Sequence, residues 1–210
     1  MTAQSVPAAP PLTRREFLYY LWAASMALFL AESGGAVVWF ALPRFEPGEF
    51  GGVFIVPLAA LPAPDGAPQA MEAGRFWLVN VGAQAVGDPR HPKGYATQPG
   101  VLALYKVCVH LGCLYQWIPT NDMFECPCHG SHYLKDGTRV HQPATRDLDR
   151  FVIRALDAQG RVLAETQAGN ADHDPGAGMP LVLPLGAARL EVDTGQRIYG
   201  KRNVTPNMAK

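Results

Sequence analysis

Charge is sparse in this 210-residue chain: 17% of residues are charged, and 18 basic side chains balance 18 acidic ones to a net charge of zero. Such a balance argues against nucleic-acid binding, which needs a net basic surface or a basic stripe, so no nucleic-acid partner is expected. Cysteine is scarce as well, with four in the whole sequence, which is too few for a disulfide-built scaffold. Internal repeats are missing, and beyond residue 42 no stretch carries a helix-length apolar pattern. What is plentiful is turn chemistry. Glycine (21) and proline (19) make up about a fifth of the chain, which points to short strands joined by many turns. A hydrophobic content of 48% excludes a wholly disordered chain, and the length suggests one or two domains.

The long apolar run lies near the N-terminus. Residues 1–12 are small, polar or proline and read as a tail, and 1–16 is expected to stay cytoplasmic. From Phe17 to Leu42 the chain is apolar except for Glu32. As a helix this run reaches about 39 Å, against about 30 Å of bilayer hydrocarbon. A carboxylate in that setting costs a few kcal/mol unless paired, so Glu32 is expected to face a protein partner. Arg14 and Arg15 precede the span directly. Positive charge on that side keeps the N-terminus inside and sends the remainder across the membrane. The run Thr13-Arg14-Arg15-Glu16-Phe17-Leu18 also resembles a twin-arginine export signal. No small-x-small cleavage site follows, so 17–42 is read as an uncleaved, single-pass transmembrane anchor in the inner membrane.

Residues 43–52, with two prolines, three glycines and interspersed charge, form the expected hinge. The rest, 53–210, is long enough for one buried core on the extracytoplasmic side. Strands are expected at Val53–Val56, Phe76–Val81, Val101–Val107, Leu114–Ile118, Phe151–Leu156 and Arg161–Ala164, divided by turns such as Asp136-Gly137 and Gln159-Gly160. Residues 168–180 read as a loop, and 181–200 as two further strands. The expected class is all-β, preceded by one transmembrane α-helix.

The chemistry is concentrated. All four cysteines and three of the six histidines lie between residues 108 and 132. The first block is Cys108-Val109-His110-Leu111-Gly112-Cys113, and the second is Cys126-Pro127-Cys128-His129-Gly130-Ser131-His132-Tyr133. Each offers a soft thiolate and a borderline imidazole, and two facing loops of this kind can surround a metal centre. Taken alone, Cys₂His₂ also suits structural zinc, which accepts these ligands tetrahedrally.

The two blocks together resemble the Rieske iron–sulfur family, in which two histidines and two cysteines hold a [2Fe–2S] cluster. The resemblance implies one cluster per chain, with Cys108 and Cys126 as thiolate ligands and His110 and His129 as imidazole ligands. It further implies a Cys113–Cys128 disulfide bracing the two loops, Leu111 shielding the cluster, and Ser131 and Tyr133 donating hydrogen bonds to its sulfur atoms. The implied fold is a Rieske-type antiparallel β-sandwich with a cluster-binding subdomain at about 106–146. Zinc gives no reason for the two extra cysteines or the hydroxyl pair. The family usually adds a Gly-Pro-Ala-Pro-like loop over the cluster; here Gln142-Pro143-Ala144-Thr145 keeps Pro143 and Ala144 but lacks the flanking Gly and Pro.

The implied activity is electron transfer from quinol to a c-type cytochrome within a multisubunit cytochrome bc-type oxidoreductase that includes a cytochrome b-type subunit. His110 and His129 would contact the quinol and take its proton. The small subunit of an arsenite oxidase is the nearest alternative, though its disulfide pair is often incomplete. A ring-hydroxylating oxygenase component would usually lack both anchor and disulfide. Outside the two blocks, Asp172-His173-Asp174 reads as a solvated loop and His132 as a surface histidine. Asn203-Val204-Thr205 has the form of a glycosylation acceptor, but Pro206 follows it.

Overall fold

The computed structural model describes residues 11–42, 52–92 and 97–202 and falls into two units, one at the N-terminal helix and one comprising the remainder. The hinge expected at 43–52 lies, apart from Gly52, outside the described residues, as does Asn203-Val204-Thr205. Helix α1 spans Arg14–Ala41, 28 residues with none buried, and is long and apolar enough to cross a membrane. It begins three residues before the expected span because Thr13 and Glu16 form a capping box. The Glu16 N–H donates to Thr13 Oγ1 at 3.3 Å, and the Thr13 N–H donates to Glu16 Oε2 at 2.9 Å. Arg14 and Arg15 therefore form the first turn of the helix.

The second unit is built from antiparallel strands: β1 (Val53–Pro57), β2 (Gln69–Met71), β3 (Phe76–Val81), β4 (Gly100–Tyr105), β5 (Gln116–Ile118), β6 (Met123–Glu125), β7 (His132–Tyr133), β8 (Arg139–His141), β9 (Arg150–Leu156), β10 (Val162–Glu165) and β11 (Arg189–Ile198). A seven-stranded sheet runs β1-β11-β9-β4-β3-β2, with β10 also on β9, and a four-stranded sheet runs β5-β6-β7-β8. Strand β4 meets β9 only at Leu104↔Arg150. On either side of that link the sheet folds over one core of Val56, Phe76, Leu78, Ala103, Ile153 and Val192. This is the expected sandwich.

Strands β3 and β4 are apolar at nearly every residue because both of their faces are covered. Phe76, Leu78, Val101 and Ala103 face the sandwich core, while Val79, Val81, Leu102 and Leu104 face a second core. That second core continues into Tyr115, Phe124, Tyr133, Cys108 and Cys126, so the small sheet and its loops are seated directly on the large one.

Four short strands (β2, β6, β7, β8) were not expected, and residues 181–200 supply one long strand instead of two. In β11 the turn-like Asp193-Thr194-Gly195-Gln196 is accommodated as a register shift against β9. Thr194 holds it there, its Oγ1 accepting from the Gly52 N–H at 3.0 Å. A one-turn helix, α2 (Ala83–Val86), follows β3.

Asp147 sits between the two sheets, fully buried, with Oδ1 accepting the Arg139 N–H at 2.7 Å. Burial raises its carboxyl to about 7. The native state therefore holds a proton that the unfolded chain releases near pH 4, and stability is lost as pH rises from about 4 to about 7. About three units correspond to a loss on the order of 4 kcal/mol. Asp147→Asn is expected to flatten this dependence, as read from denaturant midpoints of the full-length protein in detergent at pH 5 and pH 8. Equal slopes in the two proteins would refute this role for Asp147.

Candidate metal centre

Two loops form the site, and they fold back in the same way. In the first, the Cys108 N–H donates to the Cys113 carbonyl at 2.7 Å and the Gly112 N–H donates to the Cys108 carbonyl at 3.0 Å. In the second, the Cys126 N–H donates to the Ser131 carbonyl at 2.9 Å and the Gly130 N–H to the Cys126 carbonyl at 3.0 Å. Each turn needs left-handed backbone at its glycine, with φ of 85° at Gly112 and 77° at Gly130, which a side chain with a Cβ resists. The pairs Val107↔Leu114 and Glu125↔His132 close the two bases.

This geometry separates sulfur from nitrogen. The opening residues of both loops point inward, leaving Cys108 and Cys126 as free thiols only 2% and 3% exposed. The histidines stand at the outer end, His110 partly buried and His129 exposed, with ring centroids 4.9 Å apart. The Cys113–Cys128 disulfide forms as expected, with Cα atoms 6.6 Å apart. The sulfur atoms of Cys113, Cys126 and Cys128 lie within 4.8 Å of one another, so the brace passes immediately beside the Cys126 thiol.

Of the two hydroxyls, Tyr133 is the one set against a cysteine sulfur. Tyr133 Oη lies 3.1 Å from Cys108 Sγ. Burial, and next the neighbouring Cys108, push the Tyr133 hydroxyl far above its ordinary range, so it stays protonated and donates to a thiolate. Ser131, fully buried, accepts the Ala144 N–H on Oγ at 3.0 Å and is itself hydrogen-bonded to the Tyr133 hydroxyl. Burial likewise pushes the Cys126 thiol up.

Leu111 is 72% exposed at the tip of the first loop, and Pro143 is half-buried in the adjoining segment. That segment lacks the usual Gly and Pro but is tethered twice to the second loop. One tie is the Ala144–Ser131 bond; the other is His141, whose Nδ1 lies 3.0 Å from the Gly130 carbonyl.

Sequence reading missed the support beneath the loops. Tyr115, fully buried, packs on Phe124 and Tyr133 with ring centroids 5.3 and 5.9 Å away, and donates to the Tyr105 carbonyl at 2.8 Å. Lys135 lies 3.0 Å from Asp122, donates to the Asp65 carbonyl at 2.6 Å and stands over Trp117. Neither lies in a motif, and only the contacts reveal them.

Two free buried thiols, two neighbouring imidazoles and a buried tyrosine hydroxyl against one of the thiols fit an iron–sulfur centre ligated by sulfur within and nitrogen without. The Rieske [2Fe–2S] domain family matches residues 71–152. A cytochrome b6-f complex iron–sulfur subunit of Synechococcus sp. (strain JA-3-3Ab) is 31% identical over 144 residues, covering 67% of this chain and 81% of that protein. Subunit 1 of the same name from Synechocystis sp. (strain ATCC 27184 / PCC 6803 / Kazusa) is 31% identical over 157 residues, covering 72% and 85%. Among solved structures, the cyanobacterial plasma membrane Rieske protein PetC3 from Synechocystis PCC 6803 is similar at 26% identity, covering 44% of this chain and 90% of that one, with a TM-score of 0.27. With ligand-type side chains gathered on paired loops and identity of this extent, the chain belongs to the Rieske [2Fe–2S] iron–sulfur proteins.

Proposed function

We propose that this chain is the iron–sulfur subunit of a membrane cytochrome bc-type complex, taking electrons from quinol and passing them to a c-type cytochrome. The observation that carries the reading is the exposed His129 ring on a disulfide-braced pair of loops whose two free thiols are buried. The relatives named above are subunits of cytochrome b6-f complexes by name. Cys108, Cys126, His110 and His129 hold the cluster, which when bound supplies one-electron redox chemistry at raised potential. The ring nitrogen of His129 not used for ligation accepts a hydrogen bond from a quinol hydroxyl and takes its proton as the electron departs. His110, partly buried, is the second ligand and a less accessible proton site. Leu111 presents an apolar surface beside them to the quinol or its protein pocket.

The expected test is purification of the tagged full-length protein from its native membranes. Co-purifying b-type haem and quinol-dependent reduction of a c-type cytochrome support the reading. Recovery with a molybdenum-containing partner and no b-type haem would favour the arsenite oxidase alternative. In this reading the Arg14-Arg15 pair keeps the N-terminus inside and the domain extracytoplasmic, with residues 43–52 as the hinge for movement between donor and acceptor. Added prolines there are expected to slow turnover while leaving the cluster spectrum unchanged.

Ser131 and Tyr133 set the driving force. Hydrogen bonds to sulfur strengthen as negative charge accumulates there, so each favours the reduced form. A differential of about 1–3 kcal/mol corresponds to roughly 40–130 mV for one electron. Tyr133→Phe and Ser131→Ala are each expected to lower the midpoint potential by that order with iron content intact. Unchanged redox titrations in both variants would remove these roles.

A further inference from the structure

Beside the cluster loops, the outer face of the small sheet carries a row of side chains that the electron-transfer reading does not use. Cross-strand register sets Gln116 opposite Glu125, Glu125 opposite His132, and His132 opposite His141. Directly opposed residues project to the same face of a sheet. Phe124 and Tyr133 are buried beneath, so this row points away from the core. His132 is half-buried and His141 exposed, and their rings lie 5.0 Å apart, inclined by 30°.

His141 is prepared as a metal ligand. Its Nδ1 lies 3.0 Å from the Gly130 carbonyl and 2.8 Å from the Gln142 carbonyl. Both neighbours are acceptors, so Nδ1 carries the proton and Nε2 presents its lone pair to solvent. A ring nitrogen donating to a backbone carbonyl while the other stays bare is the usual arrangement of metal-bound histidine. Glu125, next in the row beyond His132, adds negative charge; its Oε1 accepts from Asn121 Nδ2 at 2.5 Å, and its second oxygen remains as a donor to a cation.

We propose that His132 and His141 form a second metal site, taking one borderline divalent transition ion such as Zn²⁺ or Cu²⁺, with Glu125 supplying negative charge nearby. Two imidazoles suit these ions and not Mg²⁺ or Ca²⁺, which prefer oxygen alone. The site is coupled to the cluster by position. Gly130, the carbonyl that orients His141, directly follows His129, so an ion held here stands on the same rim that presents His129. Occupancy would obstruct docking of that rim, making the site a reversible brake on electron transfer. Metal binding itself does not depend on the quinol reading.

The test titrates the full-length protein, cluster loaded and oxidised, with Cu²⁺ followed by electron paramagnetic resonance and with Zn²⁺ followed by calorimetry. One ion per chain is expected, with copper hyperfine splitting from two nitrogens and no loss of cluster absorbance. His132→Ala and His141→Ala are each expected to weaken binding at least tenfold with the cluster intact, while His173→Ala, on a remote loop, leaves it unchanged. Unaltered affinity in both pair variants would overturn the site. So would copper uptake that tracks loss of cluster absorbance, since that assigns binding to His110 and His129.

Discussion

Serine in place of Cys108 or Cys126 is expected to leave the full-length chain without bound iron, down from about two irons per chain. The reduced protein then shows no paramagnetic signal, whereas the parent shows one with an average g value below that of all-cysteine clusters. The effect is complete because these are the free cysteines of the structure, both buried, with no other sulfur able to replace them once Cys113 and Cys128 are joined. A serine oxygen is a poor substitute for a thiolate toward a soft centre. The second core is expected to survive, because Phe124, Tyr115 and Leu104 are untouched and serine is close in size to cysteine. Iron retained at parental level in both variants would displace these two residues as ligands. Zinc in place of iron, with no paramagnetic signal in the parent, would instead return the site to the structural-zinc reading.

Opening the Cys113–Cys128 bridge by paired serine substitution has the next largest expected effect. The closed segment is 15 residues long, for which the chain-entropy account gives about 3 kcal/mol of stabilisation. The loss falls where it matters most, because the bridge joins two loops that otherwise share no backbone pairing among the described residues. Expected results are a lower thermal midpoint and faster bleaching of the cluster, with the initial iron content of freshly purified protein near parental. Identical midpoints and bleaching rates would show that the two loops are held by the core alone.

The two loops were legible in the sequence because each is a local object. A cysteine, a histidine two or three residues on, and a glycine able to turn left-handed are enough to specify the fold-back, and the same device occurs twice. The apolar runs of β3 and β4 were legible for a related reason: strands covered on both faces must be apolar throughout. The short strands were not. Two residues, as in His132–Tyr133, are too few to display any alternation, and they pair only because Tyr133 is drawn into the core over Tyr115. In β11, Asp193-Thr194-Gly195-Gln196 has the composition of a turn, and only β9 alongside it and Gly52 bonded to Thr194 keep the strand continuous.

The two sequence blocks, through their resemblance to the Rieske family, thus implied which side chains would meet a cluster and how the disulfide would pair, and the apolar run of residues 17–42 marked an anchor ahead of the domain. Burial and register were decided by the tertiary structure. It set Cys108 and Cys126 beneath and His129 outside, since the cores of the two sheets pull sulfur inward and leave imidazole at the rim. It also brought His141 beside His132, a neighbour nine positions away that depends on how β7 pairs with β8. A shift of one residue in that pairing would send His141 to the opposite face, and no pattern in the sequence alone specifies the register of strands this short.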